Sequence, residues 1–221
     1  MDPESTWRVI TEQRLALAEL LHGLSAAQWE QASLCAGWRI RDVAAHVAMA
    51  SQELRLSTMI TEAIRARGSF DRLNHDLAVR HAARPTEDLV AELRHFAGSR
   101  RLPAPTNARN ILFDVLVHAQ DVAIPVRQDH PMPLAAARAS AERVWTMGWP
   151  FWARRRLRGV RLVAGDTDWV AGDGPELRGP VAQLLLLLTG RPPAVLPQLS
   201  GPGLERLERA RAVRRSPTGA S

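Results

Sequence analysis

Between residues 5 and 124, apolar residues recur at helical spacing, and glycine or proline cuts the pattern into lengths that suit a bundle. Residues 5–22 place Trp7, Ile10, Leu17 and Leu21 on one broad face, and Gly23 and Ser25 end the pattern. Ser25 to Gln28 suits a short capped turn, and Leu34 to Trp38 forms a tight connector around Gly37. A second helix is expected over residues 39–67, with Val43, Val47, Ala50, Leu54 and Ile64 as its buried stripe and Gly68 as its stop. A helical segment over 71–83 follows, then a helix after Pro85 with Thr86 as N-cap, ending near Gly98. Residues 100–110 carry two prolines and read as a loop, and residues 110–124 read as a largely buried helix closed by Pro125.

Beyond residue 130 the pattern changes. Residues 134–145 are helical, and two short strands are expected at 160–164 and 168–171, separated by Gly-Asp turns. Pro180 at the first position and Gly190 just past the end bracket an apolar helix over 181–189. The expectation is a mainly α chain: a four-helix bundle over 1–130, a small α/β domain over 131–200 and a loose Arg-rich tail over 201–221.

Composition narrows the function. All 29 basic residues are Arg, giving a net charge of +6, but they are spread along the chain without a base-stacking motif. A composition bias explains them better than nucleic-acid binding, because charge alone gives only nonspecific attraction. Cys35 is the one cysteine, so no internal disulfide can form. The polar N-terminus lacks a signal-peptide core, and the apolar run 184–188 is too short to span a bilayer. A cytoplasmic protein without membrane contact is expected. A homodimer through bundle faces is one assembly open to such a chain.

The chemistry concentrates at a few positions. Asp114 and His118 are four residues apart on one helix, so they share a face one turn apart in the otherwise apolar stretch ILFDVLVHAQDV. Their oxygen and nitrogen can reach one ion, which would offset the cost of burying a carboxylate. Asp121, three residues on, can orient His118. His46 lies in a similar apolar setting, and antiparallel packing could bring it opposite His118. Two imidazoles and one carboxylate with open positions suit catalytic zinc, and nickel or iron also. On spacing alone, a buried hydrogen-bonded pair and a satisfied core histidine are the commoner outcomes.

Three blocks alter that balance. Residues 35–48 read CAGWRIRDVAAHVA, residues 114–122 read DVLVHAQDV, and residues 172–191 read GDGPELRGPVAQLLLLLTGR. Together, in this order, they resemble the DinB-like, mycothiol-dependent maleylpyruvate isomerase family. The resemblance implies a metal-binding four-helix bundle with a small appended domain. By match, His46, Asp114 and His118 are the metal ligands. It further implies mycothiol as a low-molecular-weight thiol cosubstrate and a small electrophile as substrate, in an isomerase or an S-transferase. Zinc stands ahead of nickel and iron as the divalent metal.

The chain departs from the family pattern at three places. Arg39 replaces the Ser or Thr that would cap the second helix, so the cap must come from elsewhere. Asp114 stands where the isomerase has a longer Glu, and Ala119 replaces a Gly. The other function compatible with these departures is a metal- or ligand-binding bundle without turnover, such as a stress or regulatory protein. Arg178 and Arg191 flank the last apolar helix and are candidates to hold a carboxylate of thiol or substrate by a forked contact. Cys35 reads as a small residue packed at the connector and Trp38 as a packing anchor. His75, His81, His95 and His130 lie in polar surroundings that suggest no role.

Overall fold

A computed structural model describes residues 1–50, 70–102 and 106–215. It divides into two compact units, Met1–Met132 and Pro133–Ser221.

The first unit is helical. Helix α1 spans Pro3–His22, two residues earlier than the apolar stripe suggests, because Asp2 Oδ1 accepts the Ser5 N–H at 2.9 Å and Pro3 follows the cap. Helix α2 (Ala26–Trp29) is a single turn closed by a Ser25–Gln28 capping box. Helix α3 covers Ile40–Met49. The expected continuation to residue 67, with Leu54, Ile64 and Gly68, lies outside the described residues. Helices α4 (Phe70–His81), α5 (Thr86–His95) and α6 (Ala108–Ala123) complete the unit. Thr86 is the first helical residue of α5 rather than its cap, which is Pro85. Asn107 caps α6 by accepting the Asn110 N–H at 3.1 Å.

Helices α1 and α3 each pack against both α5 and α6, so these four close a ring, and α4 lies against α3. The interior is filled by fully buried Ile10, Leu17, Ile40, Leu93 and Leu116. Arg39 stands at the N-cap of α3 without the side-chain cap bond that Ser or Thr would make, and Asp42 in the first turn holds it in place. Asp42 accepts the Arg39 N–H at 2.9 Å, grips its guanidinium at 2.9–3.0 Å, and is itself buried. Glu30 ties Arg39 to Arg41 outside it.

The second unit begins with α7 (Leu134–Met147) and the short α8 (Ala153–Arg156). Three strands follow: β1 (Arg161–Ala164), β2 (Val170–Ala171) and β3 (Glu176–Gly179). They form one sheet in the order β2-β1-β3, with Leu162 antiparallel to Ala171 and parallel to Leu177. The first two match the expected strands. The third was not anticipated, because Glu-Leu-Arg-Gly has one apolar residue and no alternation. Helix α9 (Val181–Leu188) packs on α7 and β1. Pro180 occupies its cap position, not its first turn, and Asp166 Oδ1 supplies the cap by accepting the Val181 N–H at 2.9 Å.

After the short α10 (Pro192–Val195), helix α11 spans Gly203–Arg215, so the stretch expected to be a loose tail is helical up to that point. Its start lies tight on β3: a side chain at Gly201, where φ is +103°, or at Gly203 would meet the Glu176 carbonyl at 2.6 or 2.8 Å. Leu207 is buried, which holds the first turns down. No helix among the described residues is long and apolar enough to cross a membrane.

Candidate metal centre

The packing of α3 on α6 decides whether the three expected ligands meet, and it brings them together. His46 Nε2 lies 3.7 Å from Asp114 Oδ2, and His118 Nε2 lies 3.4 Å from Asp114 Oδ1. The ligand atoms of all three are within 4.8 Å of one another. Two donors about 2.0–2.1 Å from one ion, at tetrahedral angles, stand about 3.4 Å apart, so the spacing fits a divalent cation. The two oxygens of Asp114 face different imidazoles, so the shorter side chain reaches both. Exposure is low, at 17% for His46, 27% for Asp114 and 13% for His118.

Asp121 supports the cluster from behind. Its fully buried Oδ2 lies 2.9 Å from His118 Nδ1. A carboxylate only accepts, so Nδ1 carries the proton and Nε2 is the nitrogen turned to Asp114. Burial works to raise the Asp114 carboxyl, but the charges and hydrogen bonds of His118 and His46 overcome it and hold it well below the ordinary carboxylate range. Burial works to lower His118, while Asp114 and Asp121 raise it to about 9. The cluster is thus an imidazolium on a carboxylate, the state in which a proton occupies the place a cation can take.

Arg14 stands close by and was not singled out from the sequence. It is buried on α1, and its Nη1 donates to the Ala97 and Ser99 carbonyls beyond α5 at 3.2 and 2.9 Å. Burial lowers its pKa to about 10, and the charge on Asp114 opposes that shift. The signal was present: residues 10, 14, 17 and 21 share one face, and Arg14 is the charged member of an apolar stripe.

Trp38, read as a packing anchor, packs against two histidines. Its ring meets His46 edge-on, with centroids 5.6 Å apart, and meets His75 of α4 at the same separation. His75 therefore neighbours the centre, which its polar sequence context did not indicate. Cys35 is half-buried in the connector and is no part of the cluster. His130 is buried and reaches Gln13 Oε1 at 3.2 Å, beside a groove of about 560 Å³ that none of the three clustered residues lines. In the second unit, Arg178 lies on β3, paired with Glu176 at 3.2 Å, and Arg191 donates to the Thr189 carbonyl at 2.6 Å.

These features define a class: a helical bundle gathering two imidazoles and one carboxylate from facing helices into a cluster fit for a divalent cation. Residues 10–102 match the family model described as the mycothiol maleylpyruvate isomerase N-terminal domain. The match takes in His46 and ends before Asp114 and His118. The fold agrees with a crystal structure of a mycothiol-dependent maleylpyruvate isomerase, with a TM-score of 0.61 at 15% identity over 86% of this chain and 90% of that one. A mutant form of such an isomerase aligns with a TM-score of 0.64 at 13% identity, over 91% and 93% of the two chains. At this identity the likeness is one of fold. No curated protein matches the chain.

Proposed function

We propose that this chain is a metal-dependent enzyme that adds mycothiol, a low-molecular-weight thiol, to a small electrophile. The observation that carries the reading is the cluster of His46, Asp114 and His118, with Asp121 fixing the outer nitrogen of His118. Three protein donors leave coordination positions open, which is the pattern of a catalytic rather than a structural site. A divalent cation, with zinc ahead of nickel and iron, would supply Lewis acidity that lowers the pKa of a bound thiol.

The chain's own residues do the rest. Asp121 keeps Nδ1 of His118 protonated and its Nε2 available as a donor. His118 gives up its second proton when a cation takes that place. Asp114 divides its two oxygens between the imidazoles and so holds them at a fixed separation. Arg14 adds a buried positive charge on the Asp114 side, which favours an anionic thiolate over a neutral thiol nearby. Arg178 and Arg191 are proposed to hold a carboxylate of the thiol or substrate. The reaction is addition of sulfur to an electrophilic carbon. If the addition is reversed after bond rotation, the substrate is isomerised; if it is retained, the thiol is transferred.

Metal analysis of the purified protein tests the site. Stoichiometric metal is expected, and its loss in His46→Ala; a metal-free native protein would overturn the reading. A transfer assay with mycothiol and a generic electrophile then separates turnover from simple binding, and His118→Ala should abolish the rate.

A further inference from the structure

The two imidazoles of the centre are held by different means. His118 is fixed by a hydrogen bond from Nδ1 to the fully buried Asp121. His46 turns Nε2 to Asp114, and its ring meets two others edge-on: His118 at 4.9 Å and 72°, and Trp38 at 5.6 Å and 88°. Edge-to-face contacts at this separation favour one ring orientation.

The indole has a second ring contact, and its backbone is hydrogen-bonded. The indole also meets the His75 ring at 5.6 Å and 79°. Its backbone closes the connector: the Trp38 N–H donates to the Cys35 carbonyl at 3.0 Å, and the Ser33 N–H and hydroxyl both donate to the Trp38 carbonyl at 2.9 Å. The connector is then pinned to α6, because the Leu34 N–H donates to the Asp121 carbonyl at 3.1 Å. Asp121 therefore grips His118 with its side chain, and with its backbone it holds the turn that presents Trp38 to His46.

We propose that Trp38 is a positioning residue that sets the ring of His46, doing with an aromatic edge what Asp121 does for His118 with a carboxylate. The proposal rests on the reading of His46 as a metal ligand. It assigns the connector a part in the centre, and it puts an indole beside one of the ligands of a bound ion.

Cobalt(II) tests this, because its visible bands report ligand geometry and it quenches nearby indole fluorescence. Native protein, Trp38→Leu and Trp38→Phe are compared by chelator competition, visible spectrum and emission. Trp38→Leu should bind cobalt roughly 10-fold more weakly or worse, the scale seen when a ligand's supporting contact is removed, with shifted bands. Trp38→Phe restores an aromatic edge and should recover most of the affinity and the native bands. It should also lose most of the cobalt-dependent quenching. Native affinity and spectrum in Trp38→Leu would overturn the proposal while leaving the metal site standing, as would equal losses in both variants. Native protein that takes up no cobalt would overturn the site and the proposal together. If Trp38→Leu does not fold, Trp38→Met takes its place: weaker cobalt binding with shifted bands supports the proposal, and native affinity and bands overturn it.

Discussion

The two units of this chain differ most in what they bury. Among the described residues, the first hides Thr6, Gln13, Arg14, Asp42, Asp121 and His130, while the second hides only Ser140 and Thr189. Burying a polar or charged group is costly unless a partner compensates it. In the first unit these groups have definite tasks: Asp42 binds Arg39 at the start of α3, Arg14 binds the carbonyls beyond α5, and Asp121 orients His118. In the second, an apolar layer of Leu184 to Leu188 lies on α7 and β1. Arginine there serves the helix end: Arg156 donates to the Leu187 and Leu188 carbonyls at 3.1 and 2.8 Å. Polar burial in the first unit includes groups around the candidate centre, while the core of the second unit is held by apolar packing.

The largest expected effects separate the units outright. Leu185→Ala empties part of the fully buried layer of the second unit and should destabilise the protein by about 2–5 kcal/mol, with metal still bound. His118→Ala should abolish metal binding. If the site binds a cation, native protein should gain about 2.7 kcal/mol at 100 times the dissociation constant. The variant should show no such gain. Denaturant titration with and without zinc measures both. Loss of metal in Leu185→Ala, or retention in His118→Ala, would break the division.

Asp121→Asn comes next. The amide no longer forces the proton onto His118 Nδ1, and the ring can turn or change tautomer. Metal affinity should fall about 10- to 100-fold with little change in secondary structure. Equal affinity in variant and native protein would mean that the carboxylate is only a buried partner.

The metal-free first unit should also carry a pH signature. His118 is raised from 6.5 to about 9, so its contribution is complete below pH 6.5 and is lost as pH rises through 9. Asp114 is lowered from 3.8, so its contribution is present above that pH and is lost as pH falls through its depressed value. Stability without metal should therefore be greatest between 3.8 and 6.5 and decline towards pH 9. Asp114→Asn should flatten the alkaline decline. A native profile that rises between pH 7 and 9 would contradict the imidazolium–carboxylate pair.

Much of this was legible in the residues because it is local. The spacing of Asp114, His118 and Asp121 already puts them on one face of one helix, and the apolar stripes mark the bundle. The meeting of His46 with His118 depends on how α3 packs on α6, which no spacing encodes; the family resemblance supplied it. Trp38 was underestimated for the same reason, since its contacts lie on α3 and α4. Strand β3 has too little apolar alternation to be seen and forms because β1 offers it a parallel partner. Helix α11 was obscured by its many arginines, while Leu207 and the glycines that fit against β3 hold it in place. Arg14 was the exception, visible in an apolar stripe and passed over.

The smallest effect is the sharpest probe of the comparison. The Ser140 hydroxyl is buried in α7 without a hydrogen-bond partner among the described residues. A hydroxyl stripped of water and given nothing in return costs about 1–3 kcal/mol, and alanine also suits a helix interior slightly better. Ser140→Ala loses no contact that holds a site together. It should raise stability by about 1 kcal/mol, read as a higher denaturation midpoint at unchanged slope, and leave metal affinity untouched. A buried polar group of the first unit cannot be removed so cheaply, because Asp42, Arg14 and Asp121 each leave a partner stranded. If Ser140→Ala instead destabilised the chain or weakened metal binding, polar burial in the second unit would be functional too, and the division of labour drawn between the units would fail.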